Sequence, residues 1–109
     1  MASFSKNEVV LVHYPYTDLS RTKVRPAVIV HALHASQDNL MVPLTSQITS
    51  LLAGEFVLAD WAATGLHVAT AVKRGIYTIH PRLVVQRLGQ LSHGDGQQLD
   101  QSLRDWLGL

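Results

Sequence analysis

The sequence contains no cysteine. That excludes disulfides, thiolate metal sites and a cysteine nucleophile, and it fits a reducing compartment. No apolar run approaches the ~18 residues that cross a bilayer. The opening residues, MASFSKNE, lack the apolar stretch of a secretory signal. A soluble, cytoplasmic protein is therefore expected. Charge of either sign is scarce: nine Lys and Arg face eight Asp and Glu, a net charge of +1. By itself that balance does not suggest a nucleic-acid partner. No internal repeat or linker divides the chain, so residues 1–109 are expected to form one domain around one modest core.

What is present is apolar. Hydrophobic residues make up 47% of the chain, too many for a disordered segment. The few charges are unevenly placed. Residues 1–92 carry eight basic and five acidic side chains, whereas the remainder sets Arg104 against Asp95, Asp100 and Asp105. The basic excess falls in two clusters, Arg21/Lys23/Arg25 and Lys73/Arg74/Arg82/Arg87. A local basic patch can bind phosphates on a nearly neutral chain, and ordinary solvated charge has the same appearance.

Residues 8–14 contain four apolar residues in a row, Val9 to Val12, the pattern of a strand buried on both faces. Pro15 closes it, and residues 16–22 read as a polar loop. A second strand is expected over 24–32, with Pro26 near its start, where a missing N–H is tolerated. Further strands are expected over 40–44, 56–58, 70–79 (kinked at Gly75) and 83–91. Helical turns are expected over 48–52 and 60–63, the latter ended by Gly65. Ser92 can cap a final helix, with Asp95 completing a capping-box pattern. Leu99, Leu103, Trp106 and Leu107 then form one apolar stripe. Strands this closely linked cannot make parallel crossovers. The fold class is therefore mainly β with α+β character: a partly closed antiparallel barrel with a C-terminal helix.

The chemically informative stretch is residues 23–30, KVRPAVIV. Arg25 stands at the beginning of an apolar strand beside a polar loop, and a guanidinium there suits a phosphate through its planar fork. It would equally serve to clamp a loop carboxylate such as Asp18. Residues 15–20 (PYTDLS), 23–30 and 43–47 (PLTSQ) resemble successive signatures of the MazF/PemK toxin family. Gly65-Leu66, residues 70–73 (TAVK), residues 87–92 (RLGQLS) and the 103–109 ending are similar to its second half. The likeness runs from about residue 8 to residue 109.

The resemblance implies an SH3-like barrel in a two-fold homodimer. It implies a toxin–antitoxin endoribonuclease that cuts single-stranded RNA within short sequences, without metal or other cofactor, leaving 2′,3′-cyclic phosphate and 5′-hydroxyl ends. The implied partner is an antitoxin whose acidic, disordered tail covers the RNA groove. The family's catalytic arginine falls on Arg25 and its catalytic threonine on Thr45. Thr70 falls on a groove position; beside these carried-over residues, Ser20, Lys23, Ser46, Gln47, Lys73 and His13 are candidate RNA-binding residues from their own chemistry and place in the sequence. Where family members often carry phenylalanine, this chain has Tyr14 and Tyr16. Residues 20–23 fill a loop that varies among members and helps set sequence preference.

Attack of a 2′-hydroxyl on its own phosphate needs a proton acceptor, a stabiliser of the phosphorane charge and a proton for the leaving oxygen. Arg25 suits the second task, and the hydroxyls of Thr45 and Ser46 can donate to non-bridging oxygens. An arginine stays protonated at ordinary pH, so the base is left open. Among six histidines, His13 is the best base candidate by position. His31 and His34 have metal-compatible spacing only on a helix, and no carboxylate follows usefully, so no metal site is expected. Trp106 is expected in the core and Trp61 on an interface surface. Ser36 and Ser92 read as loop and cap residues. Two other readings fit the same barrel: a toxin that poisons gyrase through a C-terminal helix bearing a tryptophan, and a catalytically inactive barrel that binds a partner.

Overall fold

The computed structural model describes residues 4–14, 23–30 and 38–109. Among the described residues seven strands, β1 (Glu8–Tyr14), β2 (Lys23–Ile29), β3 (Asn39–Thr45), β4 (Phe56–Val57), β5 (Ala71–Val72), β6 (Tyr77–Ile79) and β7 (Val84–Gln90), precede one α-helix, α1 (His93–Leu107). Every pairing is antiparallel. The strands run in the order β4-β5-β3-β2-β1-β7, with β6 also paired to β3. No described helix is long and apolar enough to cross a membrane.

β1 lies between β2 and β7 and is buried on both faces, as its apolar run predicts. Val9 joins Val28, Val42, Leu44 and Leu99 of α1 in one apolar cluster. Val10 and Val12 join Ala27, Ile29 and Met41 in a second. The β1/β7 register slips between Val9 and Val10 and again between Leu11 and Val12. Such bulges increase local twist and let the sheet curl. Its two ends then meet without strand pairing. Gly65 lies in the left-handed region, and a Cβ there would fall 2.4 Å from the Leu88 carbonyl oxygen. A Cβ on Gly89 would fall 2.7 Å from the Thr64 carbonyl oxygen. Glycines at this seam let the β4–β5 connection press against β7, and among the described residues β4 and β7 do not pair, so the barrel is partly closed.

The 70–79 stretch is two strands on one edge of β3. Thr45 faces Ala71 and Leu44 faces Val72, whereas Met41, Leu40 and Asn39 face Tyr77, Thr78 and Ile79. The register differs by two residues between the segments, and Lys73 to Ile76 absorb the difference. The helical turn expected over 48–52 is absent. Ser50 has φ +58°, which breaks a right-handed turn, and the Glu55 carboxylate accepts the Leu52 N–H at 2.7 Å. The expected turn near 60–63 is a 3-10 turn, Trp61–Thr64, followed by Gly65 in the left-handed conformation. Trp61 is half-buried and packs against the first cluster. Trp106 packs there too, and its indole N–H donates to the Ala53 carbonyl at 3.0 Å.

α1 begins as its capping residue predicts: Ser92 Oγ accepts the Asp95 N–H at 3.2 Å. The Asp95 side chain, however, does not close a capping box. It is 2% exposed, and its two oxygens accept the N–H groups of Ala59 at 2.9 Å and Asp60 at 3.0 Å. Asp95 thus ties the helix to the segment leading into the 3-10 turn.

Candidate functional site

The β2–β3 ladder is short, and a concavity opens beyond its end. Pairing runs only through Ala27–Pro43, Val28–Val42 and Ile29–Met41. Val30 N–H donates to the Leu40 carbonyl at 3.0 Å. By strand alternation, residues 30, 28 and 26 therefore turn their backbone polar groups toward β3. Position 26 is proline, which has no N–H to give the Leu44 carbonyl. Beyond this point β2 stays with β1, while β3 pairs with β5. The strands fork, and a groove of about 570 Å³ lies between them.

Lys23, Arg25 and Pro26 line one wall of the groove, and residues 43–47 line the other. Leu66, His67, Val68 and Thr70 of the β4–β5 connection, with Lys73 and Tyr77, complete it. Arg25 and Lys23 are exposed and make no ion pair among the described residues. Asp18, the alternative partner for Arg25, lies outside the described residues, as does Ser20. Thr45 Oγ1 accepts the Gln47 N–H at 3.1 Å. That bond fixes the turn carrying Ser46 and leaves the Thr45 hydroxyl hydrogen available for donation. Thr70 is buried, and its hydroxyl donates to the Val68 carbonyl at 2.8 Å, so it can offer the groove only an acceptor. Lys73 is held from behind: its N–H donates to the Pro43 carbonyl at 2.9 Å. The neighbouring Arg74 N–H donates to Glu55 at 2.8 Å. This bond, with the Leu52 N–H, lowers the Glu55 pKa.

Seven of the nine sequence-derived site residues thus come together: Arg25, Thr45, Lys23, Ser46, Gln47, Thr70 and Lys73. His13 does not line the groove. It faces Val24 on the opposite side of the β1–β2 pair from Val12 and Arg25, and its Nδ1 is buried with no hydrogen-bond partner among the described residues. The second basic cluster also separates. Arg87 is on β7, bridged to Glu8 at 3.1 Å and stacked 4.4 Å above the Phe4 ring centroid, outside the groove. Among the described residues no three His, Asp or Glu side chains gather in a metal-binding group. Sequence reasoning did not place Leu66, His67, Val68 and Tyr77 in the site. They arrive through the β4–β5 connection and the β5/β6 register slip, neither of which has a local sequence signal.

The groove combines cations, hydroxyl donors and exposed apolar side chains (Val68 and the Tyr77 ring), a composition suited to a flexible polyanion with flat bases. No curated protein sequence matched the chain. Among solved structures, an endoribonuclease from a mycobacterial species in complex with its cognate antitoxin superposes with a TM-score of 0.78, at 18% identity over 95% of this chain and 94% of that one. MazF from Deinococcus radiodurans superposes with a TM-score of 0.77, at 16% identity over 100% of both chains. A MazE–MazF complex from the same organism gives 0.74 at 14% identity, over 100% of this chain and 99% of that one. These likenesses establish a shared fold. The family model for PemK-like, MazF-like toxins of type II toxin–antitoxin systems matches residues 5–107, nearly the whole chain, and the chain belongs to that family.

Proposed function

We propose that the protein is a metal-independent endoribonuclease that cuts single-stranded RNA in the groove between β2 and β3, leaving 2′,3′-cyclic phosphate and 5′-hydroxyl ends. The observation that carries the reading is the fork itself, because it sets Arg25 on one wall against Thr45 and Ser46 on the other. A phosphodiester between them meets a guanidinium fork and two hydroxyl donors. Those are the groups that stabilise charge developing on non-bridging oxygens. Lys23, Lys73 and Gln47 hold the strand on either side. The gyrase-poisoning alternative needs an accessible C-terminal tryptophan, whereas Trp106 is packed and hydrogen-bonded.

The natural inhibitor is an antitoxin whose acidic, apolar-studded tail occupies the same groove. Such a tail can cover a large surface while bearing its ordering cost on binding. The active form is a two-fold homodimer. Sedimentation that finds only monomer at micromolar concentration refutes the dimer.

The decisive experiment incubates purified protein with single-stranded RNA in excess EDTA and analyses the product ends. Cleavage with cyclic-phosphate termini is expected, and Arg25→Ala should lose at least ~100-fold in rate, as loss of a preorganised charge-stabilising donor does. A strict requirement for magnesium or zinc refutes metal independence. Wild-type cleavage by Arg25→Ala removes the groove as the site.

A further inference from the structure

We propose that His67 accepts the 2′-hydroxyl proton during cleavage, as the general base of the groove; the assignment rests on the nuclease reading above. Among its described lining residues the groove otherwise lacks a proton acceptor. Its described lining includes lysines, an arginine, hydroxyls, an amide and a tyrosine, but no Asp or Glu. Ammonium and guanidinium groups have no lone pair to accept a proton and hydroxyls are weak bases, so His67 is the one described lining side chain with a ring nitrogen suited to accept one. The other described histidines stand elsewhere. His13 is on the far face of β1, His80 Nδ1 accepts the Arg82 N–H at 3.0 Å, and His93 begins α1.

The local structure suits the role. His67 is exposed on a bend whose backbone is fixed on both sides. Before it, Gly65 presses on the Leu88 carbonyl, where no Cβ fits. After it, the Thr70 hydroxyl holds the Val68 carbonyl, and the Thr70 carbonyl accepts the Leu58 N–H at 2.9 Å. The exposed ring is open to a substrate, and the backbone on either side of it is tied to the rest of the fold.

The step balances without an added cofactor. The 2′-oxygen attacks the adjacent phosphorus and its proton passes to a neutral imidazole nitrogen of His67. The O2′–P bond forms and the P–O5′ bond breaks, its electron pair leaving on O5′. That oxygen takes a proton from a water molecule. The resulting hydroxide is neutralised by the imidazolium proton, which regenerates the base.

The test compares wild type, His67→Gln and His67→Ala by the pH dependence of kcat and KM on one RNA oligonucleotide, with thermal melting as the folding control. The ionisable groups sharing the groove are Lys23 and Arg25 on β2, Lys73 after β5 and Tyr77 on β6. An acid limb in the wild-type profile that disappears in His67→Gln belongs to the imidazole. Wild-type kcat should fall below that limb. His67→Gln should lose roughly 100-fold or more in kcat, keep KM and lose the limb. Added imidazole should restore part of the His67→Ala rate. Unchanged kcat and limb in His67→Gln overturn the assignment, and so does a rise in KM alone, which marks a base contact. If wild type leaves RNA intact, the nuclease reading fails and this assignment with it. If wild type cuts and His67→Gln cuts equally well, only the assignment fails.

Discussion

Replacing Asp95 by alanine tests whether a single carboxylate ties α1 to the segment leading into the 3-10 turn. In the wild type each oxygen of Asp95 accepts one backbone N–H, from Ala59 and Asp60. Removing the carboxylate takes away two charge-assisted bonds. Hydrogen bonds to a charged group are worth about 1.5–3 kcal/mol where buried. Ala59 and Asp60 are exposed, so water recovers part of this. The negative charge in the first turn of α1 adds about 0.5 kcal/mol by opposing the positive end of the helix dipole. The net cost is about 3 kcal/mol. At about 2.1 cal/mol/K per residue, the 109-residue chain has an unfolding entropy near 230 cal/mol/K. The expected fall in Tm is therefore about 13 °C. Asp95→Asn keeps one acceptor but turns an amide donor toward the other N–H, and should cost about half as much. Circular dichroism melting at pH 7 measures both. Protomer concentration is held fixed, since the Tm of the proposed homodimer depends on it. A Tm for Asp95→Ala within about 2 °C of wild type refutes the clamp.

Thr45→Ala should slow RNA cleavage less than Arg25→Ala, because Ser46 presents a second hydroxyl on the same turn, and Arg25→Lys should rescue only in part, since an ammonium lacks the planar fork. Initial rates on one oligonucleotide check both, and equal losses for Thr45→Ala and Arg25→Ala refute the ranking. RNA affinity of the inactive Arg25→Ala protein should fall about a hundred-fold to a few thousand-fold for a tenfold rise in salt, at a slope near −0.7 for each of roughly three to five phosphate contacts; a flat response refutes the cationic groove. The Glu55 pKa is lowered by the Arg74 N–H and then the Leu52 N–H, so the unfolded chain binds the proton at higher pH than the folded one. The stability Glu55 contributes is present above the ordinary carboxylate value of about 4.3 and is lost as pH falls through the lower folded value. Urea unfolding from pH 7 to pH 3 should show this decline reduced in Glu55→Gln, and identical pH profiles refute it.

The sequence showed most plainly what short-range physics determines. The Val9–Val12 run marked a doubly buried strand, Ser92 marked the helix start, and Gly65 marked the end of a turn. The resemblance to the MazF/PemK family grouped most of the groove, with Arg25 on β2 and Thr45 on β3. What it hid depends on partners far along the chain. Asp95 sits where a capping box is expected, yet its carboxylate bonds residues 35 and 36 positions away. Trp61 follows an aspartate in a surface-like turn, yet the curl of the sheet brings the first cluster against it. Arg87 reads as one of a basic cluster, but strand order places it at the opposite edge of the sheet from β5, beside Glu8. His67 reads as one histidine among six until the β4–β5 connection folds over the fork.

The fork also determines what kind of ligand the groove can hold. β3 is asked to pair along both edges, and Pro26 ends one of those ladders one residue after Ala27–Pro43. The Leu44 carbonyl, turned toward β2, therefore gets no donor from residue 26, and Leu44 lines the groove. A backbone acceptor left without its strand partner must be satisfied by water or by a ligand. A ligand made only of phosphates has no donor for it, whereas an RNA strand carries 2′-hydroxyls and exocyclic amines that do. Substituting Pro26 by alanine supplies the missing N–H and permits the β2–β3 ladder to advance toward Leu44. That closure would draw Arg25 and Thr45 together at the expense of the space between them. Pro26→Ala should therefore be at least as stable as wild type yet cut RNA more slowly. A variant that is both unaltered in stability and fully active would show that proline is not what keeps the groove open.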